Sequence, residues 1–113
     1  MEPIRISVRS NKRIRIIGLR EIMYCEADGR YTRIFLENGE SHLIAKVLRD
    51  YEDLLPDENF FRIHKSCIVN ISYIREYCLN DHHYVVLTND AILQVSKRRC
   101  KCFIQKLLEV YPQ

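Results

Sequence analysis

Glycine is scarce in this chain: Gly18, Gly29 and Gly39 are the only three among 113 residues. Neither a Gly-x-Gly-x-x-Gly turn nor a phosphate-binding P-loop can be written with them, so the common nucleotide-binding signatures are excluded. Long apolar runs are also missing, and nothing approaches the roughly 20 residues that span a bilayer. The opening Met-Glu-Pro-Ile-Arg-Ile-Ser-Val-Arg lacks the apolar stretch of a signal peptide. A cytoplasmic protein with no membrane partner is the expectation. The five cysteines (Cys25, Cys67, Cys78, Cys100 and Cys102) include no Cys-x-x-Cys pair, the spacing that zinc ribbons and thioredoxin-like sites require. Reduced, mostly buried thiols are expected.

Catalytic groups are equally thin. His82 and His83 are adjacent, so on a strand they would face opposite ways and could not share a metal. They follow Asn80-Asp81, which predicts a solvated turn for both. His64 lies near Cys67, a spacing that invites a Cys–His nucleophile. The neighbours of Cys67, Ile68 and Val69, favour instead a buried and inert thiol. The acids Asp50, Glu52, Asp53, Asp57 and Glu58 cluster on one segment rather than forming a facing pair. No enzyme, no metal site and no cofactor are expected.

What the chain does contain suits one folded domain, residues 1–113. Its hydrophobic share is 47% and its charged share 29%, values of a folded protein rather than a disordered tail. The net charge of +3 is mild but unevenly spread. Arg5, Arg9, Lys12, Arg13, Arg15 and Arg20 stand against Glu2 alone near the N-terminus, and Lys97, Arg98, Arg99, Lys101 and Lys106 form a second basic segment. Such a chain can turn a basic face to an anionic partner.

Short alternating runs dominate. Ile4–Val8, Arg13–Ile17, Ile22–Ala27, Tyr31–Leu36, Glu40–Ile44, Tyr73–Leu79, His83–Leu87 and Ile92–Val95 read as strands, with turns signalled by Asp28-Gly29, Asn38-Gly39 and Asn89-Asp90. The period changes over Ala45–Leu55, where Val47, Leu48, Tyr51, Leu54 and Leu55 recur at helical spacing until Pro56. A second helix is predicted over Lys97–Tyr111, with Cys100, Phe103, Ile104, Leu107 and Leu108 on one face and Ser96 as its N-cap. Eight to ten short strands with two helices follow, and no β-α-β alternation that would build a parallel sheet.

Two segments carry a resemblance. Ile22-Met-Tyr-Cys-Glu-Ala-Asp-Gly-Arg-Tyr-Thr-Arg-Ile-Phe-Leu36 is similar to the I-x-Y-I-E-A-x-x-x-Y-x-x-I-x-L stretch of the LytTR family of bacterial DNA-binding domains. Phe60-Phe-Arg-Ile-His-Lys-Ser-Cys-Ile-Val-Asn70 resembles that family's F-x-R-I-H-(R/K)-S-x-(I/L)-V-N signature nearly letter for letter. Val95-Ser-Lys-Arg-Arg99 is a weaker match to the V-S-R-R that opens the family's last helix. The similarity runs from about residue 5 to 108.

The resemblance implies a mostly β, elongated antiparallel arrangement of about ten short strands in three small sheets with two helices. It implies sequence-specific binding of double-stranded DNA for transcription regulation, as the output domain of a two-component response regulator. Loops, rather than a recognition helix, would enter successive major grooves, commonly on direct repeats. A homodimer on DNA and an upstream receiver domain or kinase pathway are implied as partners; these 113 residues hold no receiver domain.

Three places correspond to the family's DNA-contacting loops. At the Asp28-Gly29 turn, Arg30 is the expected base reader, because arginine matches guanine O6 and N7 with two donors; Tyr31 adjoins it. In the signature, His64, Lys65 and Ser66 are the candidates, with Lys65 and Ser66 able to donate to phosphate. Phe60, Phe61, Ile63, Cys67, Ile68 and Val69 are expected in the core, and Asn70 in a structural turn. At the start of the last helix Ser96, Lys97, Arg98 and Arg99 are the candidates: Arg98 as base reader, Lys97 and Arg99 on phosphates, and Lys101 in addition. Cations there oppose the helix dipole, so they need an external reason. A competing class is a β-rich RNA, single-strand or protein-binding module using the same basic edge, with Tyr31 and Tyr77 as exposed stacking platforms.

Overall fold

The computed structural model describes residues 5–113. Strands β1 (Arg5–Ser10) and β2 (Arg13–Gly18) make a two-stranded ribbon; the expected strand start at Ile4 lies outside the described residues. A central five-stranded sheet in the order β5-β4-β3-β7-β6 is built from β3 (Ile22–Asp28), β4 (Tyr31–Leu36), β5 (Ser41–Ile44), β6 (Phe60–His64) and β7 (Cys67–Asn70). Strands β8 (Ile74–Leu79), β9 (His83–Leu87) and β10 (Ile92–Gln94) form a third sheet in the order β10-β9-β8. All of these pairings are antiparallel. The helices are α1 (Leu48–Leu54) and α2 (Cys100–Val110). The described residues extend 44 × 31 × 24 Å, so the elongated, mostly β arrangement expected from the sequence is the one found.

The central sheet separates two cores. On one face Ile6, Val8 and Ile17 of the ribbon and Leu48, Tyr51 and Leu55 around α1 pack onto Cys25, Ile34 and Ile68. On the other, Phe103 of α2 and Val85, Leu87 and Leu93 of the third sheet pack onto Met23, Ile63 and Val69. This explains why Cys67-Ile-Val reads as a continuous apolar run rather than an alternating one: successive side chains of β7 enter different cores, and all four of its residues are buried. The expected core assignments of Phe60, Ile63, Cys67, Ile68 and Val69 hold, while Phe61 is half-buried beside Phe103.

Asn70 is buried and fully engaged. Its Nδ2 donates to the Ile22 carbonyl at 2.9 Å, and its Oδ1 accepts the Ser72 amide at 2.9 Å, capping a 3-10 turn. Its role is therefore structural, as expected.

Four expectations need correction. The first helix begins at Leu48, not Ala45, because the Thr32 hydroxyl, itself buried, donates to the Lys46 carbonyl at 2.7 Å and holds residues 45–47 in a bend that ends in an extended Val47. Leu48, Tyr51 and Leu55 supply its buried stripe, and Val47 and Leu54 remain exposed. Ser96 does not cap the second helix. That helix begins at Cys100 without a side-chain cap, because the Ser96 amide donates instead to the Ile63 carbonyl at 2.8 Å and pins residue 96 to β6. His83 opens β9 rather than sitting in a turn with the exposed His82, its Nδ1 lying 2.8 Å from the Tyr77 hydroxyl. Finally, the thiols are free but unevenly buried: Cys25 and Cys67 are buried, Cys78 and Cys100 half-buried, and Cys102 exposed.

Candidate nucleic-acid interface

Strand directions decide what comes together. In an antiparallel sheet the end of one strand lies beside the start of its neighbour. The end of β3 at Asp28 pairs with Tyr31, and the end of β5 at Ile44 pairs with Thr32. The start of β7 at Cys67 pairs with Glu26 and with His64, the end of β6. The β3–β4 turn, the β5–α1 connection and the β6–β7 turn therefore share one end of the central sheet. The turn at 97–99 joins them, since Ser96 N–H bonds Ile63 and an Arg99 Nη1 donates to the Arg62 carbonyl at 3.3 Å. The three expected loops converge on one edge of the molecule.

The β3–β4 turn is Gly29-Arg30, with Gly29 at φ +61°. A left-handed residue at this position matches the twist of a two-residue hairpin, which is why the sequence uses glycine. Arg30 is exposed at its tip, and Tyr31 is 48% exposed beside it. Arg33, one turn inward, is held 3.8 Å from Asp28.

The β6–β7 turn is braced. Ser66 Oγ lies 2.8 Å from His64 Nδ1, and the Ser66 amide donates to the same nitrogen at 3.2 Å. Because Nδ1 accepts the amide, the proton of the neutral ring sits on Nε2, which has no partner among the described residues. The Ala27 amide donates to the Ser66 carbonyl at 2.8 Å. Arg62 completes the brace: Nη1 donates to Glu52 of α1 at 2.8 Å, Nη2 to the Lys65 carbonyl, and Nε to the His64 carbonyl at 3.4 Å. Lys65 is left exposed at the tip.

Residues 97–99 form a turn in front of α2 rather than its first turn. Lys97 and Arg98 are exposed, whereas Arg99 is half-buried and tied to β6. The conflict with the helix dipole is thereby reduced, because these cations precede the helix; only Lys101 sits in its first turn. The Ser96 hydroxyl is buried without a partner, an arrangement that costs about 1–3 kcal/mol and keeps that oxygen off the surface.

Among the described residues, Arg30, Lys65, Lys97 and Arg98 join no ion pair. Two residues escaped the sequence reading. Lys46 is exposed on the β5–α1 connection at the same end, yet a single lysine between strand and helix carries no signal of its own. Arg62 sits inside the signature, but its contacts depend on α1 and α2, which no local pattern links to it. The Cys–His pairing fails as a nucleophile. Burial, with the Glu26 carboxylate adding to it, pushes the Cys67 thiol from its ordinary 9.0 up to about 12, so no thiolate forms near neutral pH. Tyr77, offered as a stacking platform, is half-buried against Phe103 and His83.

Comparison with known proteins now separates the possibilities. The family model of the LytTr DNA-binding domain matches residues 12–108. The chain belongs to the LytTR family of DNA-binding domains. The sensory transduction protein LytR of Staphylococcus saprophyticus is 30% identical over 106 residues, which are 90% of this chain and 41% of that protein. The transcriptional regulatory protein NatR of Bacillus subtilis is 29% identical over 79 residues, 70% of this chain and 34% of that protein. This LytTR domain thus spans well under half the length of these relatives. A solved LytTr DNA-binding domain from Bacillus cereus shares its fold with a TM-score of 0.81 at 22% identity, over 93% of this chain and 97% of the other. No helix among the described residues is long and apolar enough to cross a membrane.

Proposed function

We propose that this LytTR domain reads specific duplex DNA in the cytoplasm, as the transcription-regulating output of a two-component response regulator. The observation that carries the reading is the convergence of four exposed, unpaired cations on turns at one end of the central sheet. Arg30 and Arg98 read base edges, since a guanidinium can address guanine through two parallel hydrogen bonds. Lys65 and Lys97 hold phosphates, with Lys46 beside them. His64, through its Nε2–H, and Tyr31 add contacts to the backbone and sugar. Ser66 and Arg99 act mainly by shaping the turns, and Ser96 makes no contact of its own.

Turns set along a sheet end can follow one face of the duplex and enter successive major grooves, about 34–36 Å apart. Direct repeats, occupied by two copies, complete the reading, and a receiver domain or kinase acting upstream supplies the signal. The domain performs no catalysis itself.

Selection from random duplex DNA, followed by gel shifts against random duplex and single strands, tests this reading. A strongly enriched duplex and weaker single-strand binding are expected. Phosphate contacts by the three lysines Lys46, Lys65 and Lys97 predict a log–log salt slope of roughly −3. Equal or tighter binding to single strands would remove the duplex assignment.

A further inference from the structure

Arg62 lies between the β6–β7 turn, α1 and the turn at 97–99. Its guanidinium donates to the carbonyls of His64 and Lys65, the two residues that enter the β6–β7 turn, and to Glu52 of α1. Its own carbonyl accepts the Arg99 guanidinium at 3.3 Å, while the next carbonyl along β6, that of Ile63, accepts the Ser96 amide at 2.8 Å. The strand is irregular at this point, with a register shift between Arg62 and His64. A shifted strand end leaves carbonyls without ladder partners, and Arg62 satisfies two of them from the side. Its side chain is only 18% exposed.

We infer that Arg62 is a positioning residue whose side chain fixes the Lys65 turn against the strand end whose main-chain carbonyls hold the Lys97-Arg98 turn, and that the resulting spacing sets DNA specificity. The inference rests on the assignment of those turns to DNA. Phosphate contacts tolerate small displacements of a cation, whereas a bidentate base contact does not. Loss of the brace therefore reduces discrimination more than it reduces affinity for DNA in general. Glu52, exposed on α1, orients the guanidinium from the helix side. Lysine cannot replace Arg62, because an ammonium is a compact charge without the planar fork that reaches two carbonyls and a carboxylate together.

The experiment uses Arg62→Lys, with Glu52→Gln as a milder second variant. Amide hydrogen exchange is measured on the free protein, and affinity is measured for the selected duplex and for random duplex. Expected for Arg62→Lys is exchange about tenfold faster in the Lys65 turn, the factor that corresponds to roughly 1.4 kcal/mol of lost protection, with residues 97–99, held by main-chain carbonyls that the variant keeps, within about twofold. The ratio of specific to random affinity should fall by a similar factor of about ten, with random-duplex affinity within about twofold. Glu52→Gln should show the same pattern at smaller size. Three outcomes would overturn the inference: unchanged exchange in the Lys65 turn, an unchanged specificity ratio despite faster exchange, or specific and random affinity falling together in step with melting temperature. If the parent protein prefers no duplex at all, the assignment of the turns to DNA fails instead. The exchange arm contains no DNA and still decides whether the Arg62 side chain holds the Lys65 turn.

Discussion

The β3–β4 and β6–β7 turns stand at the same end of the same sheet, yet they are built on opposite plans. The first consists of Gly29 and Arg30, with a left-handed glycine and no side-chain contact holding its tip. The second is held by Arg62, by the His64–Ser66 bond and by the Ala27 amide. The difference follows from strand geometry. Both are two-residue connections, but the first fixes its path through a left-handed glycine, whereas the second, next to a register shift and with no left-handed residue, is held by side chains. For recognition, the first turn offers a long arginine that can adapt, and the second offers a short, fixed platform coupled to the 97–99 turn.

The largest expected effect bears on the two arginines at the tips. Arg98→Ala and Arg30→Ala should each cost about 1–3 kcal/mol on the selected duplex and relax preference at one base position. Arg30→Lys should keep more of its binding than Arg98→Lys, because an untethered turn lets a lysine find a new acceptor. Anisotropy titrations against single-base variants of the selected duplex check both, and equal losses for the two lysine variants would break the comparison.

Gly29→Val tests the dihedral plan of the first turn. A Cβ at this position would meet nothing within 4 Å, so the penalty comes from the backbone conformation alone, about 1–2 kcal/mol. A lower urea midpoint with an unchanged slope is expected. No change in midpoint would mean that the turn does not depend on its left-handed residue.

A smaller effect separates the turns by pH. Cys67 follows Ser66 directly, and its folded-state pKa is raised from 9.0 to about 12, chiefly by burial. Burial moves the Cys25 thiol upward as well. A raised pKa means that the stability contributed by the neutral thiol is complete below about pH 9 and is lost as pH rises toward about 12, since the unfolded chain ionises first. Unfolding free energy should therefore fall between about pH 9 and about pH 12, less steeply in Cys67→Ala. An equally steep fall in Cys67→Ala would contradict the burial of that thiol beside the second turn.

The smallest effect is that of Lys97→Ala. It should weaken all duplexes alike and flatten the log–log salt slope by about one, without changing base preference. Gel shifts at several salt concentrations measure it, and a changed preference would promote Lys97 to a base reader.

Much of the fold was legible because its signals are local. Alternation marked the strands, Asp28-Gly29 and Asn38-Gly39 marked two turns, and residues 22–36 and 60–70 carried the family. The boundaries that failed share one cause. Thr32 and Lys46 hold residues 45–47 out of α1, and Ile63 with Ser96 delays the start of α2; in both, partners far apart in sequence outcompete local helix preference. Within the site, the exposed tips Arg30, Lys65, Lys97 and Arg98 were readable from the family resemblance, with their charge in support. The inward parts, Arg62 with Glu52 and the partnerless Ser96 hydroxyl, were not.

The sequence by itself determined the class of fold, the family and the side chains available to meet an anionic partner, because periodicity, turn residues and charge act over a few neighbours. The tertiary structure decided which of those side chains face outward and which are consumed in holding the turns. Arg30 and Arg62 look alike on paper, but one ends in solvent and the other among three acceptors, since only the packed sheet and helices bring those acceptors within reach.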